Sequence, residues 1–179
     1  MTWQSKTNLI APSTIQTIWS RHVADSLQLL QYAPHANTWI DLGSGGGFPG
    51  MAIACALNPP GMVHLVESNT KKAAFLREAA RVTGAPAKIH NLRIEEFNKQ
   101  FQGPADIVTA RALAPLTELL GFCTPHIKMG AQALLLKGQD IADELTQAAK
   151  YWKIDAELKE SLTDPTGRIL VVRSLEPAI

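Results

Sequence analysis

The sequence predicts an α/β fold: a mostly parallel, seven-stranded sheet flanked by helices, preceded by an N-terminal helix and ending in an antiparallel hairpin. Three patterns predict this fold. A short apolar strand runs into a glycine-rich bend at residues 38–50. Apolar strand patterns and helical patterns then alternate, as they do in parallel sheets with crossover helices. After Trp152 the apolar period changes to two, which is typical of a hairpin.

Length and composition indicate one ordered domain over residues 1–179, with residues 1–35 as a helical segment packed on it. The chain has 179 residues, of which 46% are hydrophobic and 18% charged, and its net charge is +1. This net charge excludes a strong positive potential over the whole molecule that would attract nucleic acid or acidic membranes, but it allows a local basic face. No stretch resembles a signal peptide or a long apolar span, so we expect a cytoplasmic protein.

The two cysteines are too few and too far apart in sequence for a zinc site or a disulfide framework. We expect Cys55 and Cys123 to be buried as small hydrophobic residues in a reduced cytoplasm, without a metal.

Capping signals and apolar periodicity predict the first half of the element order. An N-terminal helix is predicted from Ser13, which forms a capping-box pattern with Gln16, to about Ala33. Strands follow at residues 38–42 and 62–66, the second after a turn rich in proline and glycine.

The remaining elements continue the alternation. Ser68 or Asn69 is expected to cap the helix after the second strand, and Gly84 to end it. Further strands are predicted at residues 87–91, 105–110 and 131–137, and helices at 94–101, 116–126 and 141–151. A turn at residues 164–167 joins a strand that starts at Trp152 to a return strand at 168–175.

The bend after the first strand has the features of a ligand-binding loop. Asp41 lies near the end of the strand, and Gly43, Gly45, Gly46 and Gly47 follow it. Glycine has no Cβ and adopts positive φ readily, so backbone N–H groups in such a bend approach a ligand closely. We therefore predict that this loop binds a nucleotide-like cofactor.

Two cofactor classes use loops of this kind. Gly45, Gly47 and Gly50 satisfy the G-x-G-x-x-G of dinucleotide sites, whereas Asp41, Gly43, Gly45 and Gly47 satisfy the D-x-G-x-G-x-G of S-adenosylmethionine sites. A carboxylate beside the loop repels a pyrophosphate and attracts an amino group. We therefore favour S-adenosylmethionine, and an NAD-binding oxidoreductase is the less favoured alternative.

Glu67 follows the second strand, 20 residues after Gly47. At this separation an acidic side chain reaches the ribose hydroxyls of a nucleotide in a βαβ unit, whichever of the two cofactors is bound. The alternative is a solvated strand end without a ligand contact.

A parallel sheet that ends in a hairpin is the architecture of class I, Rossmann-like, S-adenosylmethionine-dependent methyltransferases. Ligands of such sheets lie beyond the carboxyl ends of the strands, where Asp41, Glu67, Asn91 and Arg111 fall in this sequence. A position beside the cofactor favours a functional role for Arg111.

Several short motifs are more specific than the glycine loop. They are Asn8-Leu9 and residues 21–27 (RHVADSL), 48–50 (FPG), 67–77 (ESNTKKAAFLR), 93–97 (RIEEF), 109–112 (TARA) and 136–138 (LKG). With these motifs, the chain resembles the RsmG (GidB) family of bacterial ribosomal RNA methyltransferases from about Asn8 to about Gln139.

The resemblance implies transfer of a methyl group from S-adenosylmethionine to N7 of a guanosine in the decoding-region loop of 16S ribosomal RNA. It also implies cofactor contacts by Gly43, Phe48, Ile94, Glu95 and Arg111, with Arg111 as the catalytic residue near the methyl-donor end. The implied partner is small-subunit ribosomal RNA or the assembling small ribosomal subunit, with no membrane and no metal. The alternative is a class I methyltransferase that acts on another RNA or on a small molecule.

Basic side chains are the candidates for RNA contacts, because Lys and Arg neutralise phosphates. The candidates are Arg21, His22, Lys71, Lys72 and Lys137. For the two helix lysines the alternative is a solvated face. For His22 the alternative is a hydrogen bond with Asp25 or Asp41.

Overall fold

The computed structural model describes residues 3–178, and its sheet has seven strands in the order β3-β2-β1-β4-β5-β7-β6. The strands are β1 (Thr38–Leu42), β2 (Met62–Val66), β3 (Ala87–His90), β4 (Ile107–Arg111), β5 (Gln132–Lys137), β6 (Trp152–Glu160) and β7 (Arg168–Pro177). The first five strands are parallel, while β7 is antiparallel to both β5 and β6. The predicted α/β sheet with a terminal hairpin is confirmed.

Helices cover both faces of the sheet. They are α2 (Gly50–Ala56), α3 (Thr70–Thr83), α4 (Ile94–Gln100), α5 (Leu116–Lys128) and α6 (Ile141–Ala148). The predicted boundaries of α3 are confirmed. The Asn69 side chain accepts hydrogen bonds from two backbone N–H groups of the first turn, and Gly84 ends the helix with a φ of 67°.

The N-terminal segment is helical but is not the single capped α-helix that was predicted. It contains a 3-10 helix (Pro12–Thr17), a π-helix (Trp19–Ala24), the short α1 (Asp25–Leu27) and a second 3-10 helix (Gln28–Tyr32). The predicted cap at Ser13 is wrong, because the helix already begins at Pro12, a favoured first helical residue. Hydroxyls of Thr14, Thr17 and Ser20 each bond the carbonyl three residues earlier, which competes with regular α-helical bonding.

The hydrophobic core lies in two layers, one on each face of the sheet. Ile40 and Leu42 of β1 belong to the layer that includes Phe97 and Leu120 from α4 and α5. Trp39 belongs to the other layer, with residues of α2 and α3 and with Leu29 of the N-terminal segment. Because strand side chains alternate between faces, Asp41 points to the same side as Trp39, beneath α2.

The N-terminal segment also contacts the loop between β6 and β7. Arg21 forms an ion pair of 2.6 Å with Asp164, and the Thr163 hydroxyl donates to Asp25 over 2.8 Å. The Gln28 side chain accepts the backbone N–H of Leu162 at 2.8 Å. The first and last parts of the described chain are therefore joined on one side of the sheet.

Several element boundaries, including those of β4 and α6, and one burial prediction differ from the sequence analysis. Strand β4 starts at Ile107, because the Asp106 carboxylate accepts the backbone N–H groups of Asn37 and Thr38 and so belongs to the preceding turn. Helix α6 ends at Ala148 instead of residue 151. Cys55 is exposed, contrary to prediction, whereas Cys123 is buried. No helix within residues 3–178 is long and apolar enough to cross a bilayer.

Candidate active site

The candidate site is a cavity of about 500 Å³ at the carboxyl edge of the parallel strands. The glycine loop, the end of β2, the start of α4 and the end of β4 form its walls. Residues predicted from the sequence that line it are Gly43, Gly45, Phe48, Glu67, Lys72, Ile94, Glu95 and Arg111. The carboxyl ends of the parallel strands therefore bring together predicted site residues that are up to 68 positions apart in sequence.

Two glycines of the loop are required by close contacts. A Cβ on Gly43, whose φ is +69°, would lie 2.5 Å from the Leu113 side chain. A Cβ on Gly46 would lie 2.5 Å from the carbonyl oxygen of Leu9. The loop is thus enclosed by two segments that no local sequence pattern connects to it.

Glu67 links the end of β2 to the glycine loop. Its carboxylate accepts the Gly45 backbone N–H at 2.8 Å and the Asn69 backbone N–H at 2.7 Å. The side chain of Asn91, after β3, donates to the Glu67 carbonyl at 2.9 Å. A carboxylate has about four lone-pair positions, so Glu67 keeps acceptor capacity toward the cavity.

Asp41 does not line the cavity, which corrects the expectation of a carboxylate facing the ligand. It is fully buried beneath α2, and its Oδ2 accepts the Gly50 N–H at 3.2 Å. Its Oδ1 has no hydrogen-bond partner among the described residues. Burial raises the pKa of Asp41 to about 7, against opposing effects that include the Gly50 N–H and the Arg111 charge. At neutral pH Asp41 therefore carries only part of a charge, which weakens the electrostatic case against a pyrophosphate.

Arg111, the last residue of β4, contacts several parts of the molecule. Its guanidinium lies 5.6 Å from the centroid of the Phe48 ring and donates to the Arg21 carbonyl at 3.2 Å. It also lies 3.6 Å from the Asp25 carboxylate and 2.7 Å from Nδ1 of His22. The next residue, Ala112, has a φ of 49°, and this left-handed conformation turns the chain along the cavity wall.

Part of the cavity wall is apolar. Ile94 is buried at the start of α4, and Glu95 beside it is exposed in the first turn. Leu92, Leu113 and Phe122 add aliphatic and aromatic side chains to the wall. Such a wall can accept a flat apolar ring between side chains.

The residues proposed to contact RNA do not form one cluster. Lys72 lines the cavity, whereas Lys71 is exposed on α3. Lys137 is nearly buried, forms a 2.6 Å ion pair with Glu144, and lines a second cavity of about 230 Å³ beside Arg111. Arg21 is half-exposed and paired with an aspartate of the hairpin loop.

His22 bonds to neither carboxylate named in the alternative prediction. Its Nε2 lies 2.8 Å from the Thr14 hydroxyl, and its Nδ1 faces Arg111. The alternative with Asp25 or Asp41 as hydrogen-bond partner is therefore wrong. The ring centroid of His22 lies 5.1 Å from that of Phe48.

The sequence analysis missed several residues of the cavity wall. They are Leu9, Ser44, Val66, Ser68, Leu92, Arg93, Ala112, Leu113, Ala114, Glu118 and Phe122. Leu92 and Arg93 follow β3, so their place at the carboxyl ends of the strands could have predicted them. Leu9 could not have been predicted in this way, because only tertiary packing brings the N-terminal segment across the glycine loop. Within residues 3–178, no three His, Cys, Asp or Glu side chains are grouped closely enough to hold a metal ion.

The sequence matches a known family over most of its length. A family model described as rRNA small subunit methyltransferase G (GidB) matches residues 1–170. Ribosomal RNA small subunit methyltransferase G of Bradyrhizobium sp. (strain ORS 278) is 56% identical over 176 residues, which are 97% of this chain and 79% of the relative. The protein of the same name from Rhodopseudomonas palustris (strain BisB18) is 55% identical over 177 residues, covering 98% and 76% of the two chains.

The chain belongs to the rRNA small subunit methyltransferase G family. The resemblance predicted from the short motifs is thereby confirmed. The glycine loop, Glu67 and Arg111 all lie within the part of the chain that the family model matches.

Several solved structures share the fold of this methyltransferase G family member. The cofactor-bound Rv0187 from MTB superimposes with a TM-score of 0.68 at 20% identity, covering 97% of this chain and 87% of that one. The O-methyltransferase TomG from Streptomyces achromogenes, solved in complex with SAM, gives a TM-score of 0.63 at 15% identity and covers 83% and 78%. At such identities the likeness is one of fold, which confirms the predicted class I architecture.

Proposed function

We propose that this member of the methyltransferase G family transfers a methyl group from S-adenosylmethionine to N7 of a guanosine in the decoding-region loop of 16S ribosomal RNA. Family membership supports small-subunit ribosomal RNA as the substrate. The structural observation that carries the proposal is the cavity at the carboxyl edge, which is lined by Glu67, by Arg111 and by apolar side chains, and in which Glu67 bonds the glycine loop.

The residues present fit this cofactor. The apolar wall around Ile94 suits an adenine ring, and Glu67 retains acceptor positions for ribose hydroxyls. The Arg111 guanidinium suits the carboxylate of the methionine moiety, because arginine binds carboxylates with two parallel donors. The residues we assign to the cofactor are Asp41, Gly43, Gly45, Gly47, Phe48, Glu67, Ile94, Glu95 and Arg111. Asp41 acts indirectly, through its bond to the Gly50 N–H, since its carboxyl is buried.

The target atom simplifies the chemistry required of the protein. When bound, S-adenosylmethionine supplies an electrophilic methyl group on a sulfonium sulfur. N7 of guanine has a lone pair and no hydrogen, so this chain needs no general base. Its residues act by alignment, which can contribute about 7–11 kcal/mol to a reaction between two bound groups. Carboxylates on the cavity wall, Glu67 and Glu118, favour the positive charge that develops on the purine.

Exclusion of water is the second task of the site. Phe48 and Leu113 flank the loop, and Leu9 lies across it. These apolar groups lower the local dielectric constant, so the charges on Glu67 and Arg111 act more strongly. Arg111 is the group we assign to the methyl-donor end, as the catalytic residue.

The partner and the extent of the unit form part of the proposal. We infer that the chain acts in the cytoplasm as one domain, with residues 1–35 packed on it, on small-subunit RNA or the assembling subunit. The contacts between Arg21 and Asp164 support a single unit. The candidate RNA contacts are the basic residues Arg21, His22, Lys71, Lys72 and Lys137, of which Lys72 lines the cavity.

Nucleoside mass spectrometry tests the function directly. Small-subunit RNA from a strain that lacks the enzyme is incubated with the purified chain and S-adenosylmethionine. We expect one added 7-methylguanosine with the wild-type chain, and we expect Arg111→Ala to lower turnover more than folding stability. A methyl group at another atom, or on another RNA only, would refute the proposed substrate. Calorimetry with NAD tests the alternative of an NAD-binding oxidoreductase. That alternative requires tight binding of NAD.

A further inference from the structure

Donor and acceptor chemistry fixes the protonation state of His22. Nη2 of Arg111 lies 2.7 Å from Nδ1 of His22. Arginine has five N–H donors and no acceptor, so Nδ1 must accept and cannot carry a hydrogen. In a neutral imidazole the hydrogen then resides on Nε2.

Thr14 completes this chain of bonds. Nε2 of His22 lies 2.8 Å from the Thr14 hydroxyl oxygen. The same hydroxyl donates to the Ala11 carbonyl at 2.8 Å. A hydroxyl has one hydrogen and two lone pairs, so it can accept from His22 while it donates to Ala11. Every donor in the series Arg111, His22, Thr14, Ala11 thus meets an acceptor.

We propose that His22 and Thr14 are positioning residues that fix the Arg111 guanidinium at the wall of the cofactor cavity. The inference rests on the proposed function, in which Arg111 acts at the methyl-donor end. Neither His22 nor Thr14 is part of the described cavity wall, so they act through Arg111. The Phe48 ring, which contacts both His22 and Arg111, limits sideways movement of the guanidinium.

Protonation of His22 breaks the series, because an imidazolium presents a second N–H to Arg111. The charged groups that face His22 are Arg111 from β4, Arg21 and Asp25 from the N-terminal segment, and Asp164 from the hairpin loop. Burial and the Arg111 charge lower the pKa of His22, and Asp25 opposes them. The neutral ring therefore persists below pH 6.5, the ordinary pKa of histidine, and the arrangement is lost only at more acidic pH.

Nitrogen-15 NMR of the His22 ring tests the proposal on the full chain without cofactor or RNA. We expect a single neutral tautomer at pH 7, protonated at Nε2, and a titration midpoint below 6.5. Arg111→Met should release the ring to a mixture of tautomers. A ring protonated at Nδ1, or a midpoint above 6.5, would overturn the proposal. Because this measurement needs no methyl transfer, its outcome is separate from the success of the proposed function.

Methyl-transfer kinetics test the consequence for Arg111. His22→Phe keeps a ring but removes the acceptor, and we expect kcat/KM at neutral pH to fall at least about tenfold, the weight of one bond to a charged group. His22→Asn offers an amide oxygen near the position of Nδ1 and does not titrate. It should recover most of the loss and lack the acid limb of the wild-type pH profile. If the Asn and Phe variants behave alike, the positioning role is refuted.

Thr14 supplies an independent arm of the test. Thr14→Val removes the hydroxyl that accepts from Nε2 of His22 and should lower kcat/KM. Thr14→Ser keeps a hydroxyl and should retain the wild-type kcat/KM and its dependence on pH. Thr17→Val is the matched control, because Thr17 lies on the same segment with an exposed side chain and bonds only a local carbonyl. Equal effects of the Thr14→Val and Thr17→Val changes would overturn the inference. Thermal unfolding of each variant identifies any loss of fold, and the Thr14 and His22 arms each decide the proposal alone.

Discussion

The carboxylate of Glu67 accepts the backbone N–H of Gly45 at 2.8 Å and so connects the end of β2 to the loop after β1. The second carboxylate oxygen accepts the N–H of Asn69, which caps α3. One side chain thereby fixes the spacing between the cofactor loop, a strand end and a helix start. Charge-assisted bonds of this kind are about twice as strong as neutral ones.

Replacing Glu67 should weaken cofactor binding. In Glu67→Gln the amide nitrogen would face a backbone N–H, so one of the two bonds is lost and the other is no longer charge-assisted. We expect a fall in affinity for S-adenosylmethionine of about tenfold to a hundredfold, measured by calorimetry. Glu96→Gln, an exposed change on α4, is the matched control. Unchanged affinity in the Glu67 variant would contradict its assignment to the site.

Asp41 should make stability depend on pH. Its pKa in the folded chain is raised from 3.8 to about 7, so folding favours the protonated form. The benefit of that form is fully present below about pH 4 and is lost as the pH rises through 7. Asp41→Asn does not titrate, so the wild-type free energy of unfolding should decline relative to the variant over this window. The decline should reach a few kcal/mol, at about 1.4 kcal/mol per pKa unit.

Urea denaturation at a series of pH values measures this difference. Asp143→Asn, on the exposed side of α6, is the control for loss of one carboxylate. Parallel stability curves for the wild type and the Asp41→Asn variant would show that the buried carboxyl does not change its protonation in this range.

Gly46 should tolerate no side chain. A Cβ at this position would lie 2.5 Å from the Leu9 carbonyl oxygen, a backbone atom that cannot rotate away. We expect Gly46→Ala to destabilise the chain by about 1–3 kcal/mol, as overpacking does in general. Gly138→Ala is the control, because no atom lies within 4 Å of the corresponding Cβ. Thermal unfolding compares the two, and equal melting temperatures would show that the N-terminal segment is not fixed against the loop.

Replacing Lys137 should lower the stability of the fold more than the affinity for RNA. Its ammonium pairs with Glu144 at 2.6 Å, and the same carboxylate oxygen accepts the N–H of Leu116 at the start of α5. Lys137→Met leaves this half-buried carboxylate without its cation, which should cost about 1–3 kcal/mol of unfolding free energy. Lys150→Met, at an exposed lysine, is the control. A stable Lys137 variant with weakened RNA binding would favour the phosphate contact instead.

Sequence patterns were sufficient for the fold where the periodicity was strong. Near-continuous apolar runs such as β5 and the capping signals at Asn69 and Gly84 are local, so they predicted elements to within a few residues. The prediction of a single N-terminal α-helix was wrong because hydroxyl side chains in this segment compete for backbone carbonyls. This competition outweighed the helical period of the apolar residues.

The site residues that lie at the ends of strands could be predicted from the sequence. Glu67 and Arg111 lie where the order of parallel strands places them. Contacts made by packing gave no local signal. Leu9 reaches the loop only through the tertiary fold, and Thr14 reaches Arg111 only through His22. The burial of Asp41 was likewise invisible, because a D-x-G pattern does not say which face of the strand an acid occupies.

The bonds between the N-terminal segment and residues 161–164 have a consequence for biosynthesis. Arg21 and Asp25 are translated early, yet their partners Asp164 and Thr163 emerge more than a hundred residues later. The N-terminal segment therefore cannot acquire these contacts until residues 161–164 have been synthesised and have left the ribosome. Arg111, which lies 3.6 Å from the Asp25 carboxylate, thus obtains its complete surroundings late in synthesis.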